Sequence, residues 1–238
     1  MNIAVIGRGN VGTNLFRALQ GAGHTTDLVC GHTLEGLPEE ADAYVVCVKD
    51  DALSGVGERL MERVPEALVV HTAGSMSVDD LPHVRRGVFY PLQTFTKGRM
   101  VDFRSVPFFI EATQAEDLEA LRMLATSLSD RCYEMSTPQR AYLHVAAVLC
   151  CNYANHLSAL AAQLLERHGI PFDVMLPLLD ETVRKLHSIH PLNAQTGPAV
   201  RHDHRVMDRQ LALLAGEDLP QMTDIYRLLA DSIEQLHT

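Results

Sequence analysis

The sequence predicts an α/β domain on a mostly parallel, doubly wound sheet, followed by an all-α helical domain. Three observations carry this reading. Short apolar runs rich in Val and Ile alternate with helical patterns through residues 1–135. A glycine fingerprint, Gly7-Arg8-Gly9-Asn10-Val11-Gly12, joins the first run to the first helix. From Ser136 onward the pattern is helix only, so the boundary is expected near Met135, with domains at 1–135 and 136–238.

The elements follow in order. Asn2 to Ile6 is an apolar strand, and Gly12 to Leu19 is a helix. Thr26 to Cys30 and Ala43 to Val48 are strands, and Leu53 to Val64 is helical. Leu68 to His71, Val88 to Tyr90 and Pro107 to Glu111 are strands. A helix over Ala115 to Leu128 and a short strand over Cys132 to Glu134 close the first domain. In the second, Thr137 is expected to cap a helix that opens at Pro138 and runs to about His168, with Gly169 as its stop. Its interior is small and apolar on nearly every side, over roughly 45 Å at 1.5 Å per residue. Shorter helices follow near Val174 to Leu186, His204 to Leu214 and Gln221 to Leu236.

Composition removes several classes of function. The chain has 238 residues, 30 acidic against 20 basic, and a formal charge of −10. That balance argues against nucleic acid and against an anionic membrane as partners. No Trp is present and aromatics make up 5%, so a base-stacking platform is not expected. No apolar run approaches the ~20 residues of a membrane span, and the N-terminus does not read as a secretory leader. The five cysteines form no CxxC pair, which suggests reduced thiols and a cytoplasmic protein.

The fingerprint follows a strand and opens a helix, the context that gives it meaning. Gly7 allows the tight turn, Gly9 lets backbone approach a pyrophosphate, and Gly12 lets helix and sheet pack closely. The helix N-terminus then faces the phosphates, and Arg8, Asn10 and Val11 lie beside them. Rossmann domains that bind NAD carry an acid about 20 residues on. Here the second strand ends Cys30-Gly31-His32-Thr33 without a carboxylate. NADP(H) is therefore the expected cofactor and NAD(H) the second candidate. No arginine sits at that strand end, so the 2′-phosphate is left to His32, Thr33 or Arg8.

Ligands of open α/β sheets bind beyond the carboxyl ends of strands. Polar clusters follow three of them: Lys49-Asp50-Asp51, His71-Thr72-Ala73-Gly74-Ser75, and Tyr90 with Gln93 and Thr94. Turn and capping chemistry accounts for the same residues equally well. On the long helix Cys151 and Asn155 fall within about 20° of His144, with Asn152 some 80° round, at 100° per residue. Imidazole and amide groups in an apolar helix need partners. A substrate or a nicotinamide carboxamide supplies them, and so do inter-helix hydrogen bonds. His144 is suited to proton transfer near neutral pH. Thr196 and Gly197, on a Gly-Pro turn, and Arg201 are candidates for an anionic substrate group. His187/His190 and His202-Asp203-His204 match no strong metal signature, and no metal is expected.

Several runs resemble one bacterial family. They are the fingerprint, His71 to Ser75, Gly87 to Phe95, Pro107 to Glu111, His144 to Ala147 with Asn152 and Asn155-His156, Pro177 to Thr182, and Gln195 to Pro198 with Arg201 and Asp203. The family is that of NADP oxidoreductases with a Rossmann-like domain and a helical C-terminal domain of unknown function. It is similar in architecture to pyrroline-5-carboxylate reductase and 6-phosphogluconate dehydrogenase. The resemblance implies a nicotinamide site between the domains and a homodimer built by the helical domain. It also implies that the Thr196 to Arg201 turn reaches an active site. The sequence departs from the family at Lys49, where proline is usual, and in the short segment after the second strand.

Together these point to an NADP-dependent oxidoreductase acting on a small carbonyl, imine or hydroxy acid. His144, Tyr90, Asn152 and Ser75 are its candidate catalytic residues. A non-catalytic nucleotide sensor on the same fold is the alternative.

Overall fold

The computed structural model describes residues 1–217 and 219–237. One seven-stranded sheet has the order β2-β1-β3-β4-β5-β6-β7. Its strands are β1 (Asn2–Ile6), β2 (Thr25–Val29), β3 (Ala43–Val46), β4 (Leu68–His71), β5 (Arg85–Pro91), β6 (Phe108–Ala112) and β7 (Cys132–Glu134). All pairings are parallel except β5 with β6. The expected α/β class is therefore the observed one. β1, β3 and β4 are nearly continuous buried apolar runs, as strands covered on both faces must be. Two apolar layers result. Leu15, Leu19, Phe89, Phe108, Leu121 and Leu124 pack on one face, and Leu34, Tyr44, Leu53, Leu60 and Leu81 on the other.

Helices α1 (Asn10–Gly21), α2 (Leu53–Arg63) and α3 (Ala115–Leu128) cover the sheet. The chain then forms α4 (Thr137–Ala147), a π-helical turn (Val148–Tyr153) and α5 (Ala154–Arg167). Ser136, not Thr137, stands at the N-cap, with its N–H donating to Gln139 Oε1 at 3.2 Å. Thr137 is instead spent on Glu111: its N–H and hydroxyl donate to the carboxylate at 3.0 and 2.8 Å. α5 ends as expected on Gly169, at φ 66, with Gly169 and Ile170 N–H groups donating to Glu166 and Leu165 carbonyls. α6 (Leu176–Lys185), α7 (Pro191–Ala194), α8 (His204–Gly216) and α9 (Pro220–Leu236) complete the chain.

Two compact units emerge, Met1–Asn152 and Tyr153–Thr238. The first takes in α4, because Arg140 and Thr137 bind that helix to β6. The helical run Thr137–Arg167 spans 31 residues with a window of mean hydropathy 1.3. By length and composition alone it could cross a membrane, contrary to the expectation that no segment reaches that size. The scattered polar residues hid it, since they break any strictly apolar run.

Candidate functional site

Five loops follow the carboxyl ends of parallel strands along one sheet edge, and the strand order reverses between β1 and β3. That is where open α/β sheets bind ligands. β1 delivers Gly7, whose φ is 121° and whose Cβ, were there one, would lie 2.2 Å from the Cys47 carbonyl oxygen. A Cβ on Gly12 would lie 2.0 Å from the Gly7 oxygen. Both glycines are thus fixed by packing. Gly9 differs, since a Cβ there meets nothing within 4 Å. It forms the N-cap of α1 and offers no capping side chain, so the first N–H groups of α1 are left for an anion. Asn10 is held aside by its amide, which donates to the Phe95 carbonyl at 3.1 Å. Arg8 is exposed at the turn. Cys47, buried beneath, has its thiol pushed up to about 12 by desolvation and is inert.

The loop after β2 contains donors the sequence did not reveal. Arg59 of α2 reaches over it, donating to the His32 and Gly31 carbonyls at 2.6 and 2.8 Å. Arg63 donates to the Leu34 carbonyl at 2.8 Å. Hydrogen bonding from the His32 backbone, and then from Thr33, lowers the pKa of the Cys30 thiol. His32 and Thr33 are exposed on this loop.

At β4 and β5 the structure brings Tyr90 and His144 together. The Tyr90 hydroxyl lies 3.2 Å from His144 Nδ1, with the rings edge to face at 6.2 Å. Tyr90 is mostly buried, and burial raises its pKa. Gly74 makes the pair possible, because a Cβ there would sit 2.5 Å from His144 Nδ1 and 2.8 Å from the Tyr90 oxygen. On the same loop Ser75 donates to Asp50 Oδ2 at 2.5 Å, joining the loops after β3 and β4. Thr72 is tied to the Val46 carbonyl through its N–H at 3.2 Å, and Ala73 N–H donates to His71 Nδ1 at 3.2 Å.

His71 is fully buried with both ring nitrogens committed, Nε2 facing the Ser77 carbonyl at 3.1 Å. Its structural place is to pin the 72–77 loop. Burial, and then the Arg140 charge, lower its pKa to about 4. A pH prediction follows. The unfolded chain binds a proton on this residue near pH 6.5, and the folded chain resists it. The contribution is therefore complete above pH 6.5 and is lost as pH falls toward 4, to a total of roughly 3 kcal/mol. Urea unfolding across that window should show a shallower decline for His71→Asn than for the native chain. Identical slopes would contradict the assignment.

Arg140 was not a sequence candidate, and it organises the loop from behind. Its guanidinium is 1% exposed and donates to Glu111 Oε2 at 2.5 Å, to the Met76 carbonyl at 2.6 Å and to Thr137 Oγ1 at 3.1 Å. Lys49 is exposed ahead of the turn Asp50–Ala52. Gln93 folds onto Thr94, whose N–H donates to Gln93 Oε1 at 2.8 Å. Asn152 is exposed within the π turn. That turn adds a residue to the helical repeat, so the alignment of His144 with Cys151 and Asn155, argued for an unbroken α-helix, does not carry through it. Instead Asn152 moves toward the His144 line. Asn155 is exposed on α5, and Thr196 and Arg201 are exposed around Gly197, whose φ is 116°.

Comparison with known proteins agrees with this architecture. Residues 106–233 match the family model described as Domain of unknown function (DUF2520). A "putative NADP oxidoreductase" from Bacteroides fragilis is 41% identical, with 98% of each chain covered and a TM-score of 0.88. An imine reductase from Myxococcus stipitatus in complex with NADP+ is 17% identical, covers 99% of this chain and 92% of its own, and has a TM-score of 0.62. Plasmodium falciparum pyrroline carboxylate reductase with NADP bound is 10% identical, with coverage of 100% and 98% and a TM-score of 0.57. The last two show the fold alone. No curated protein matches the chain. The family model spans more than half of the sequence, and the Bacteroides protein matches nearly all of it; the chain belongs to the DUF2520 family of Rossmann-type proteins with a helical C-terminal region.

Proposed function

We propose that this protein is an NADP-dependent oxidoreductase that reduces a small C=O or C=N substrate, or oxidises the corresponding alcohol or amine. The observation that carries the reading is an uncapped helix N-terminus and a hydrogen-bonded Tyr–His pair along one sheet edge of one unit. The fit to a dinucleotide rests on Gly9, which leaves room at the uncapped α1, and on the exposed His32–Thr33 loop that Arg59 holds by its carbonyls. When bound, the nicotinamide supplies or takes the hydride. The protein's own residues handle the proton. Tyr90 and His144 share a hydrogen bond, so either can give a proton to the substrate oxygen or nitrogen while the other supports it. Ser75, fixed by Asp50, can orient the substrate. Arg59 fixes the loop after β2, and that strand ends without a carboxylate, which favours NADP over NAD. Asn152, Gln93, Thr94, Asn155 and the Thr196 to Arg201 turn remain candidate substrate contacts.

The test is a panel of small imines, ketones and hydroxy acids with NADPH and NADH, followed at the nicotinamide absorbance. His144→Ala should lower kcat by about 10² or more while the fold persists, and unchanged turnover would remove His144 from the chemistry. Calorimetry should give tighter NADPH than NADH binding. Arg59→Ala should narrow that difference, because the loop after β2 loses the side chain that holds its carbonyls. Binding without turnover on any substrate would favour the nucleotide-sensor reading.

The reading includes a cytoplasmic homodimer through the helical region. Tyr142, Leu213 and Leu228 are 80%, 72% and 71% exposed, more apolar surface than a solvated monomer usually leaves open. A groove of about 590 Å³ lined by Leu157, Ala161, Leu164, Leu213 and Leu229 holds none of the candidate catalytic groups and suits a second copy. His144, Asn152, Asn155 and His156 would be costly in lipid, which favours a protein cover over a membrane. Light scattering should report twice 26.3 kDa, and Leu157→Glu should give monomers or insoluble protein. A monomeric native chain, or one extracted only with detergent, would refute the dimer.

A further inference from the structure

In the helical unit three side chains from separate segments converge on one point. His202 follows the 3₁₀ turn Ala199–Arg201, His204 is the first residue of α8, and Glu234 lies in the last turn of α9. Glu234 Oε1 is 3.6 Å from His202 Nδ1 and 3.7 Å from His204 Nδ1, and one ligand atom of each residue lies within 4.8 Å of the other two. We propose that these residues bind a divalent transition metal of the zinc class, through the two Nδ1 atoms and Oε1.

The spacing carries the argument. At 3.6 and 3.7 Å neither imidazole is hydrogen-bonded to that oxygen. Ligand atoms at the ~2.0–2.2 Å bond lengths of a tetrahedral zinc lie roughly 3.3–3.5 Å apart. A few tenths of an ångström closes the two His–Glu distances, and side-chain rotation of the exposed imidazoles brings them, within 4.8 Å at most, onto the same ion. The backbone is shaped for this convergence. His202 occupies the left-handed region at φ 51, ψ 36, a conformation uncommon for a residue with a side chain. Asp203, between the histidines, is occupied elsewhere: its Oδ1 accepts from Val206 N–H at 3.2 Å and caps α8. Capping holds the two imidazoles on the same side of that turn. The exposure gradient also fits. Glu234 is 22% exposed and forms the floor, while His202 and His204, at 47% and 67%, form an open rim. Two imidazoles and a carboxylate with an open position form a zinc donor set that leaves room for water or a fourth ligand. Sequence spacing gave no metal signature because Glu234 comes from a distant helix.

The experiment is calorimetric titration of ZnCl₂ into full-length protein stripped with EDTA, with Co²⁺ absorption as the second readout. One ion per chain should bind with a Kd at or below the order of 1 µM. The Co²⁺ spectrum should lack the charge-transfer band of a thiolate ligand. His204→Ala and Glu234→Gln should each weaken binding by about tenfold or more, with circular dichroism confirming the fold; His204 is exposed, so its replacement is well tolerated. The double change Cys150→Ser/Cys151→Ser should leave binding intact. Absence of saturable binding, binding unaltered in both ligand variants, or a thiolate band lost in the cysteine variant would each overturn the proposal.

Discussion

Replacing Arg140 by methionine should cost about 3 kcal/mol of stability or more, the scale of breaking a buried ion pair from one side. The cationic head is almost wholly enclosed and serves Glu111, Met76 and Thr137 at once. Methionine fills much of the volume but leaves the Glu111 carboxylate without its cation and the Met76 carbonyl without its donor. In urea the midpoint should fall while the slope stays constant. Adding Glu111→Gln should recover part of the loss, because the orphaned charge is then removed. The same substitution loosens the loop that carries Gly74 and Ser75, so turnover should drop further than fold content. A loss under about 1 kcal/mol would mean that Thr137 and backbone contacts alone hold α4 to β6.

Gly9→Val should leave the fold intact and abolish dinucleotide binding, with affinity lowered at least 100-fold, or about 2.7 kcal/mol. At φ −76, ψ −172 any residue fits the backbone, and a Cβ has open space. Valine caps a helix slightly worse than glycine, by no more than about 1 kcal/mol. The loss is therefore one of access, since the side chain would stand where a pyrophosphate must approach backbone. Gly7→Ala is the contrast. There the obstacle is the protein itself, with the Cys47 carbonyl in the way and φ positive, so it should reduce soluble, folded yield before any ligand is added. Calorimetry with NADPH, beside thermal unfolding of both variants, separates the two. Native-like binding by folded Gly9→Val would remove the fingerprint from the proposed function.

Local pattern made most of the sheet readable, and long-range geometry hid much of the candidate site. Strands buried on both faces write themselves as apolar runs, and the fingerprint announces its own turn. Tyr90 and His144 each stood out, but their meeting depends on Gly74, and nothing in a His-Thr-Ala-Gly-Ser string says that a Cβ would strike both rings. Arg59 sits on α2, well separated in the chain from the His32 loop, so reading that loop alone could not supply its arginine. Arg140 reads as an ordinary charge in the opening turns of a helix, whereas burial makes it central. The long helix was legible in extent but not in phase, because a π turn leaves no mark in apolar periodicity.

The two outermost strands set a limit on how copies of this chain can join. β7 has only three residues, with Tyr133 and Glu134 exposed, and β2 alternates exposed Thr25 and Asp27 with its inner positions. A border so short on one side and carrying a carboxylate on the other gives an incoming strand few backbone groups to pair with. Open-ended growth by adding sheet to sheet is thereby discouraged at both rims. Association is left to side-chain surfaces, whose geometry can close on itself and stop at a fixed number of subunits.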